Sequence, residues 1–207
     1  MSSAFPTLLS VALLTSACAT TPEGEARSPS STPTSQRATP ASCATAPACL
    51  AAGLAAQNRG AHPEARRLLT RGCGLKSAAA CLQLGNLASR GLGQPKRPQV
   101  ALRRFEQACA LGALRGCYNA GVCHYSGHGT APAPKRAVPL FMRGCILGHG
   151  PSCYNAGVAL HHGKGVPQDR RRARRMFLFG CQLGEKTACA QLPPSSRPTS
   201  SSPAARD

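Results

Sequence analysis

The chain has 207 residues, 12 of them cysteine, with no Trp, 4% aromatics and a formal net charge of +18. So few aromatics exclude a thick aromatic core, and apolar material that is mostly Ala, Leu and Val suits thin helical layers. Twelve cysteines exclude an ordinary reduced cytosolic protein unless they hold metal, and Arg supplies 20 of the 25 basic residues against 7 acids, a balance that favours anionic partners.

The first element is an apolar run, Leu8 to Leu14, too short to span a bilayer and of the length of a signal-peptide core. Thr15-Ser16-Ala17-Cys18 follows it. Small residues just before a Cys resemble the bacterial lipobox, in which that Cys receives diacylglycerol and becomes the new N-terminus. Thr15 stands where the lipobox prefers Leu, and no Lys or Arg precedes the run. The resemblance implies a signal peptide over 1–17, lipidation of Cys18 and, with Ala19 next, sorting to the outer membrane. A signal cleaved without lipidation is the alternative. Residues 18–44 are rich in Pro, Ser, Thr and Ala and read as a disordered tether, with a reach on the order of 25 Å by coil scaling. Residues 193–207 share that composition and read as a disordered tail.

Between them, 45–192 keep a strict beat. Cys73/Cys81, Cys109/Cys117, Cys145/Cys153 and Cys181/Cys189 are four Cys-x7-Cys pairs, each 36 residues after the last. Four places after each second Cys of the first three pairs stands Gly85, Gly121 or Gly157, and Gly53 stands so after Cys49. Ala65, Ala101, Ala137 and Ala173 lie eight before each first Cys, with Leu69, Phe105, Phe141 and Phe177 four before it. Ala, then Leu or Phe, then Cys at i, i+4 and i+8 is one stripe of an α-helix. Gly91/Gly93, Gly127/Gly129 and Gly163/Gly165 recur as helix-ending turns.

The pattern predicts an all-α fold, a superhelical solenoid of helix pairs. In each pair helix A, a loop and helix B follow one another. The A helices are expected at 46–58, 78–90, 114–126 and 150–162, and the B helices at 62–74, 99–111, 135–147 and 170–183. A short last A helix is expected from Lys186. Small residues on A, such as Gly121, let Phe141 and its equivalents on B sit close, and stacking buries what one pair cannot. Pro139 is expected near the first turn of its B helix, where a missing N–H costs least. The first unit departs, with 32 residues from Cys49 to Cys81 and no Gly-x-Gly; it reads as an N-terminal cap.

The stretch from Tyr154-Asn155-Ala156-Gly157 through His162-Gly163-Lys164-Gly165-Val166-Pro167-Gln168-Asp169 to Ala173, Phe177 and Cys181-Gln182-Leu183-Gly184 resembles Sel-1-like repeats, 36-residue relatives of tetratricopeptide repeats. The Cys-x7-Cys spacing further resembles their bacterial cysteine-rich, Hcp-type branch. The resemblance implies an envelope protein whose A helices line a concave groove that binds a protein or peptide. Asn119 and Asn155, at matching places in two A helices, are the candidate partner-binding residues; polar groups bonded inside the array are the other reading of both. Cysteine-rich relatives are also labelled β-lactamases, which implies a β-lactam-binding or hydrolysing alternative.

Cys-x7-Cys is not zinc-finger spacing, but it places two helix ends at disulfide range across a tight turn. Two regular pairings exist, the local one and Cys81 with Cys109 onwards. The second strands Cys73 and Cys189, so the local pairing is expected, each bridge contributing roughly 2.5 kcal/mol. Cys43 and Cys49 are expected to pair with each other. Cys123 then stands outside the scheme, where Leu87 and Ala159 sit in sister repeats. It reads as a buried thiol, with a reactive or intermolecular cysteine as the alternative.

No catalytic residue is expected. Ser-x-x-Lys, Lys-Thr-Gly and Gly-x-Ser-x-Gly are absent, and Glu64, Glu106, Asp169 and Glu185 fall in separate units. Cys123, His124, His128, His161 and His162 suggest a metal site only weakly, since no carboxylate is near them in sequence. No cofactor and no nucleic-acid partner are expected, the aromatics being too few for base stacking. Arg170, Arg171, Arg172, Arg174 and Arg175 open the last B helix with Ala173 turned inward. They read as a convex basic face, either solvated or in contact with an anionic surface.

Overall fold

A computed structural model describes residues 43–197. The expected signal peptide, Cys18 and nearly all of the tether lie outside the described residues. Eight helices of 13 residues follow in order: α1 Ala46–Asn58, α2 His62–Gly74, α3 Ala78–Arg90, α4 Pro98–Ala110, α5 Leu114–Ser126, α6 Pro134–Ile146, α7 Gly150–His162 and α8 Arg170–Gln182. A short α9, Lys186–Ala190, and a 3-10 turn, Pro194–Ser196, complete the described chain. The A helices coincide with the expected spans, and the B helices fall within one residue of them. None of these helices is long and apolar enough to cross a membrane.

Each helix packs on its neighbours in the chain, which makes a solenoid of helix pairs. Successive A helices also touch (α1 with α3, α3 with α5, α7 with α9), whereas successive B helices stay farther apart. The array therefore curves with the A helices inside.

The core repeats one contact. A Cβ added at Gly85, Gly121 or Gly157 would lie 2.6, 2.6 and 2.5 Å from the ring of Phe105, Phe141 or Phe177. The missing side chain is the socket in which the ring sits, and all three phenylalanines are buried. Gly53 holds the branched end of Leu69 in the same way.

A second small-residue contact, absent from the sequence reading, closes each corner between a B helix and the next A helix. Gly72 faces Ala80, Gly144 faces Ser152 and Gly180 faces Ala188, whereas Gly116 faces Ala108 with the glycine on the other helix. Each corner has room for one side chain of that size, and either helix can supply it.

The loops from A to B explain the odd first unit. In the three later loops the second glycine lies against the start of the preceding B helix: Gly93 on His62, Gly129 on Pro98 and Gly165 on Pro134. The α1–α2 loop has no preceding B helix to reach. It is only Arg59, Gly60 and Ala61, and nothing lies within 4 Å of a Cβ built on Gly60.

Two expectations need adjusting. Pro139 lies inside α6, five residues after its start, rather than in the first turn. It is exposed, as is Lys135, so the missing bond lies on the solvent side of the helix. Pro194–Ser196 form their turn within the segment expected to be disordered. Arg174 donates to Ser196 Oγ (2.7 Å), Arg197 donates to the Leu192 carbonyl (3.2 Å), and Leu192 is buried.

Candidate interaction site

The corners are disulfide-bonded. Cys73–Cys81, Cys109–Cys117, Cys145–Cys153, Cys181–Cys189 and Cys43–Cys49 all stand at bonding distance, with Cα atoms 4.4–4.9 Å apart. Cys123 is buried in α5, but it is disulfide-bonded and not a thiol, which corrects the expectation. The expectation rested on the apolar sister positions Leu87 and Ala159, and an apolar site suits a disulfide as well as a thiol.

All three tyrosines of the chain lie on α5 and α7, half-buried on the A helices. Tyr118 packs against the Phe141 ring at 6.3 Å and edge-on to His149 at 5.0 Å. Tyr154 packs on Phe177 at 6.0 Å. Asn155 is buried on α7. Burial pushes the Tyr118 phenol above its ordinary value, while the nearby Asn155 amide pulls it down. Asn119, one repeat earlier, is half-buried. The same register carries Gln83 on α3 and Gln191 at the C-cap of α9, so an amide recurs in three successive A helices and at the end of the fourth. Only the two asparagines are identical between repeats, so residue identity alone does not reveal the amide series.

His149 opens α7 beside this row, and its Nδ1 lies 2.9 Å from Ser152 Oγ. Burial, reinforced by Arg115, lowers its pKa, with Glu185 opposing. Burial and the Glu185 charge raise that of Tyr154.

A second polar group lies in the core. His124 is buried, and its Nε2 is 2.7 Å from Glu106 Oε1, which Arg136 also reaches at 3.3 Å. His124 Nδ1 is buried without a hydrogen-bond partner. The sequence held a signal for this pair: Ala88 and Leu160 occupy the sister positions, so a histidine there needs a partner. The four acids of the described region are each engaged. Glu64 pairs with Arg59, Glu106 with His124 and Arg136, Asp169 accepts from the Arg172 amide, and Glu185 accepts from Thr187. His128 bonds Ser126, and the His161 and His162 rings meet edge to face. Among the described residues no three His, Cys, Asp or Glu come together as metal ligands.

Together these features define a curved solenoid of disulfide-stapled helix pairs, with a tyrosine and amide face along its A helices. The Sel1 repeat model matches residues 78–112, 114–149 and 150–185, more than half of the chain, and the protein belongs to the Sel1 repeat family. Among solved structures, a Sel1 repeat protein from Oxalobacter formigenes is similar at 21% identity and a TM-score of 0.66, over 71% of this chain and 62% of that one. A protective antigen of uropathogenic Escherichia coli with an SLR fold is similar at 18% identity and a TM-score of 0.67, over 71% and 32%. The chain thus spans less than two thirds of either of these. Helicobacter pylori cysteine rich protein B is similar at 25% identity and a TM-score of 0.51, over 63% of this chain and 93% of that one. No curated protein matches the sequence.

Proposed function

We propose that the protein is an extracytoplasmic scaffold of a bacterial cell envelope that binds a protein or peptide along the inner face of its A helices. The observation that carries this is the placement of all three tyrosines, half-exposed, on two successive A helices beside an amide row. Tyrosine offers a rigid apolar body with a polar tip and is enriched where proteins meet. Asn119 and Asn155 are the assigned partner-binding residues. Five disulfides in one array support an oxidising compartment, as does the likeness to a cysteine-rich protein. Attachment through a diacylglyceryl Cys18, placing the chain in the outer membrane with the array in the periplasm, completes the proposal; because a thioether-linked sulfur forms no disulfide, it requires Cys123 to be bridged to a cysteine of another molecule.

Cross-linking in intact cells, followed by purification from the envelope fraction, tests the binding face. One dominant protein is expected with the wild type, and its loss is expected with Asn119→Ala/Asn155→Ala that keeps its helical circular dichroism. A folded double variant that retains the partner overturns the asparagine assignment. Mass spectrometry of the N-terminal peptide tests the anchor: a lipid-modified Cys18 is expected, and an unmodified or disulfide-linked Cys18 overturns it. Turnover of a chromogenic β-lactam by the oxidised protein would replace the scaffold reading with a hydrolase.

A further inference from the structure

Outside 43–197 the charges cancel, with Arg27, Arg37 and Arg206 against Glu23, Glu25 and Asp207. The described array therefore carries the whole net charge of +18. Only Arg59 and Arg136, of all its Lys and Arg side chains, face an acid within 4.0 Å. The uncompensated charge is densest on α8, the outer helix of the last repeat, and Lys135 and Arg143 add to it on α6. In α8, Arg170, Arg171, Arg172, Arg174 and Arg175 are exposed around a buried Ala173. In α6, Lys135, Arg136 and Arg143 are exposed.

The exposed large apolar side chains have a place of their own. All of those in the described region (Leu75, Ile146, Leu147, Phe179 and Leu183) lie in the last turn of a B helix or at its cap. Four of the five belong to α6 and α8, and Ile146 is 79% exposed. Arg171, Arg175, Phe179 and Leu183 follow at intervals of four, so one stripe of α8 is basic in its first half and apolar in its second. Arg143 and Leu147 repeat this order at the end of α6, with Ile146 alongside.

We infer that the outer face of α6 and α8 docks on an anionic lipid bilayer. The arginines engage lipid phosphates, while Ile146, Leu147, Phe179 and Leu183 enter the headgroup and acyl boundary. A soluble polyanion or an acidic protein surface accounts for the arginines alone. A basic band that runs into an exposed apolar tip on the same stripe matches the layered chemistry of a bilayer surface, charged outside and apolar within a few ångströms. These residues belong to B helices and their caps, whereas the tyrosines and amides belong to A helices, so the two surfaces are built from different residues. The inference stands whether or not the inner face binds a protein.

Co-sedimentation of the purified, oxidised full chain, produced without lipid attachment, is the test. Vesicles of phosphatidylcholine are compared with vesicles holding about a third phosphatidylglycerol, and with soluble polyphosphate as competitor. Binding is expected to be at least tenfold tighter to the anionic vesicles and to weaken with salt. Arg171→Glu/Arg175→Glu should abolish it. Ile146→Ser/Phe179→Ser, at exposed positions, should weaken vesicle binding at least fivefold and leave polyphosphate binding unchanged. Equal binding to neutral vesicles overturns the inference. So does full vesicle binding by Ile146→Ser/Phe179→Ser, which would make the face a general polyanion binder.

Discussion

The first helix pair and the third are built on one plan, and they differ where the first has no predecessor. In the third unit Gly121 seats Phe141, and the loop reaches back so that Gly129 rests on Pro98 of the preceding B helix. In the first, Gly53 seats the smaller Leu69, and the loop is four residues shorter with its glycine in open space. The socket glycine is therefore a requirement of the pair itself. The Gly-x-Gly loop is a requirement of stacking, and only a unit with a neighbour behind it needs one.

The largest test of that division is in the socket. Phe141→Ala removes a ring packed between two neighbouring repeats and is expected to cost about 3–5 kcal/mol; Leu69→Ala should cost about 2–4 kcal/mol. Chemical denaturation of each variant checks both. A Leu69 loss equal to the Phe141 loss would mean that the terminal unit carries as much of the core as an interior one. The loops come next. Gly129 has φ +82, and a Cβ there would meet the Pro98 carbonyl at 2.4 Å, so Gly129→Ala combines backbone strain with a backbone clash, at about 2–3 kcal/mol. Gly60 has φ +75 but open surroundings, so Gly60→Ala should cost about 1 kcal/mol, from the backbone alone. Equal losses at the two would show that the reach to the preceding helix stabilises nothing.

A smaller effect distinguishes the corners. Gly112, Gly148 and Gly184 have φ of 84–92 at the end of their B helices, and the first unit has Lys76 there, with φ 66. Lysine carries steric strain in this left-handed conformation that glycine escapes. Lys76→Gly is therefore expected to raise stability by up to about 1 kcal/mol, and Gly112→Lys to lower it by about the same. A Lys76→Gly variant that is destabilised would show that glycine's greater freedom in the unfolded chain outweighs the strain.

The helices were legible in the sequence because their signals are local and repeated. A cysteine and a glycine at a fixed offset locate each full A helix, and an alanine, a Leu or Phe and a cysteine locate each B helix. What escaped were features whose partners differ from one repeat to the next. The corner that holds one side chain is reversed once, from Gly72/Ala80 to Ala108/Gly116, so neither position keeps the period throughout although the contact does. His124 looked like half of a weak metal motif because the sequence puts it beside Cys123 and near His128. The fold instead turns it towards Glu106 on the preceding helix, 18 residues away. On the inner face, the amide series hid behind the Gln-for-Asn changes at Gln83 and Gln191. A period reveals what must be identical, and binding or buried polar chemistry needs only to be equivalent.

The smallest expected effect comes from the residue that opens each A helix after a corner. In the first corner Ser77 accepts from the Ala80 amide, an ordinary helix cap with no titrating group. At the equivalent place before α7 stands His149, half-buried, with its pKa lowered by burial first and by Arg115 second. A folded-state value below the ordinary 6.5 means that the unfolded chain takes up the proton more readily than the folded one. The neutral ring's contribution is therefore complete above about pH 6.5. It is lost as the pH falls through that value towards the lower folded one, and below both it changes no further. His161 is shifted in the same direction, by burial and then by His162 and Arg170, and adds to the slope. Urea midpoints at pH 7.5 and 5.5 should thus fall with acidity in the wild type. They should fall less in His149→Ser, which gives this corner the residue found in the first one. Equal slopes would move the acid sensitivity away from the corner, to His161 at the far end of α7.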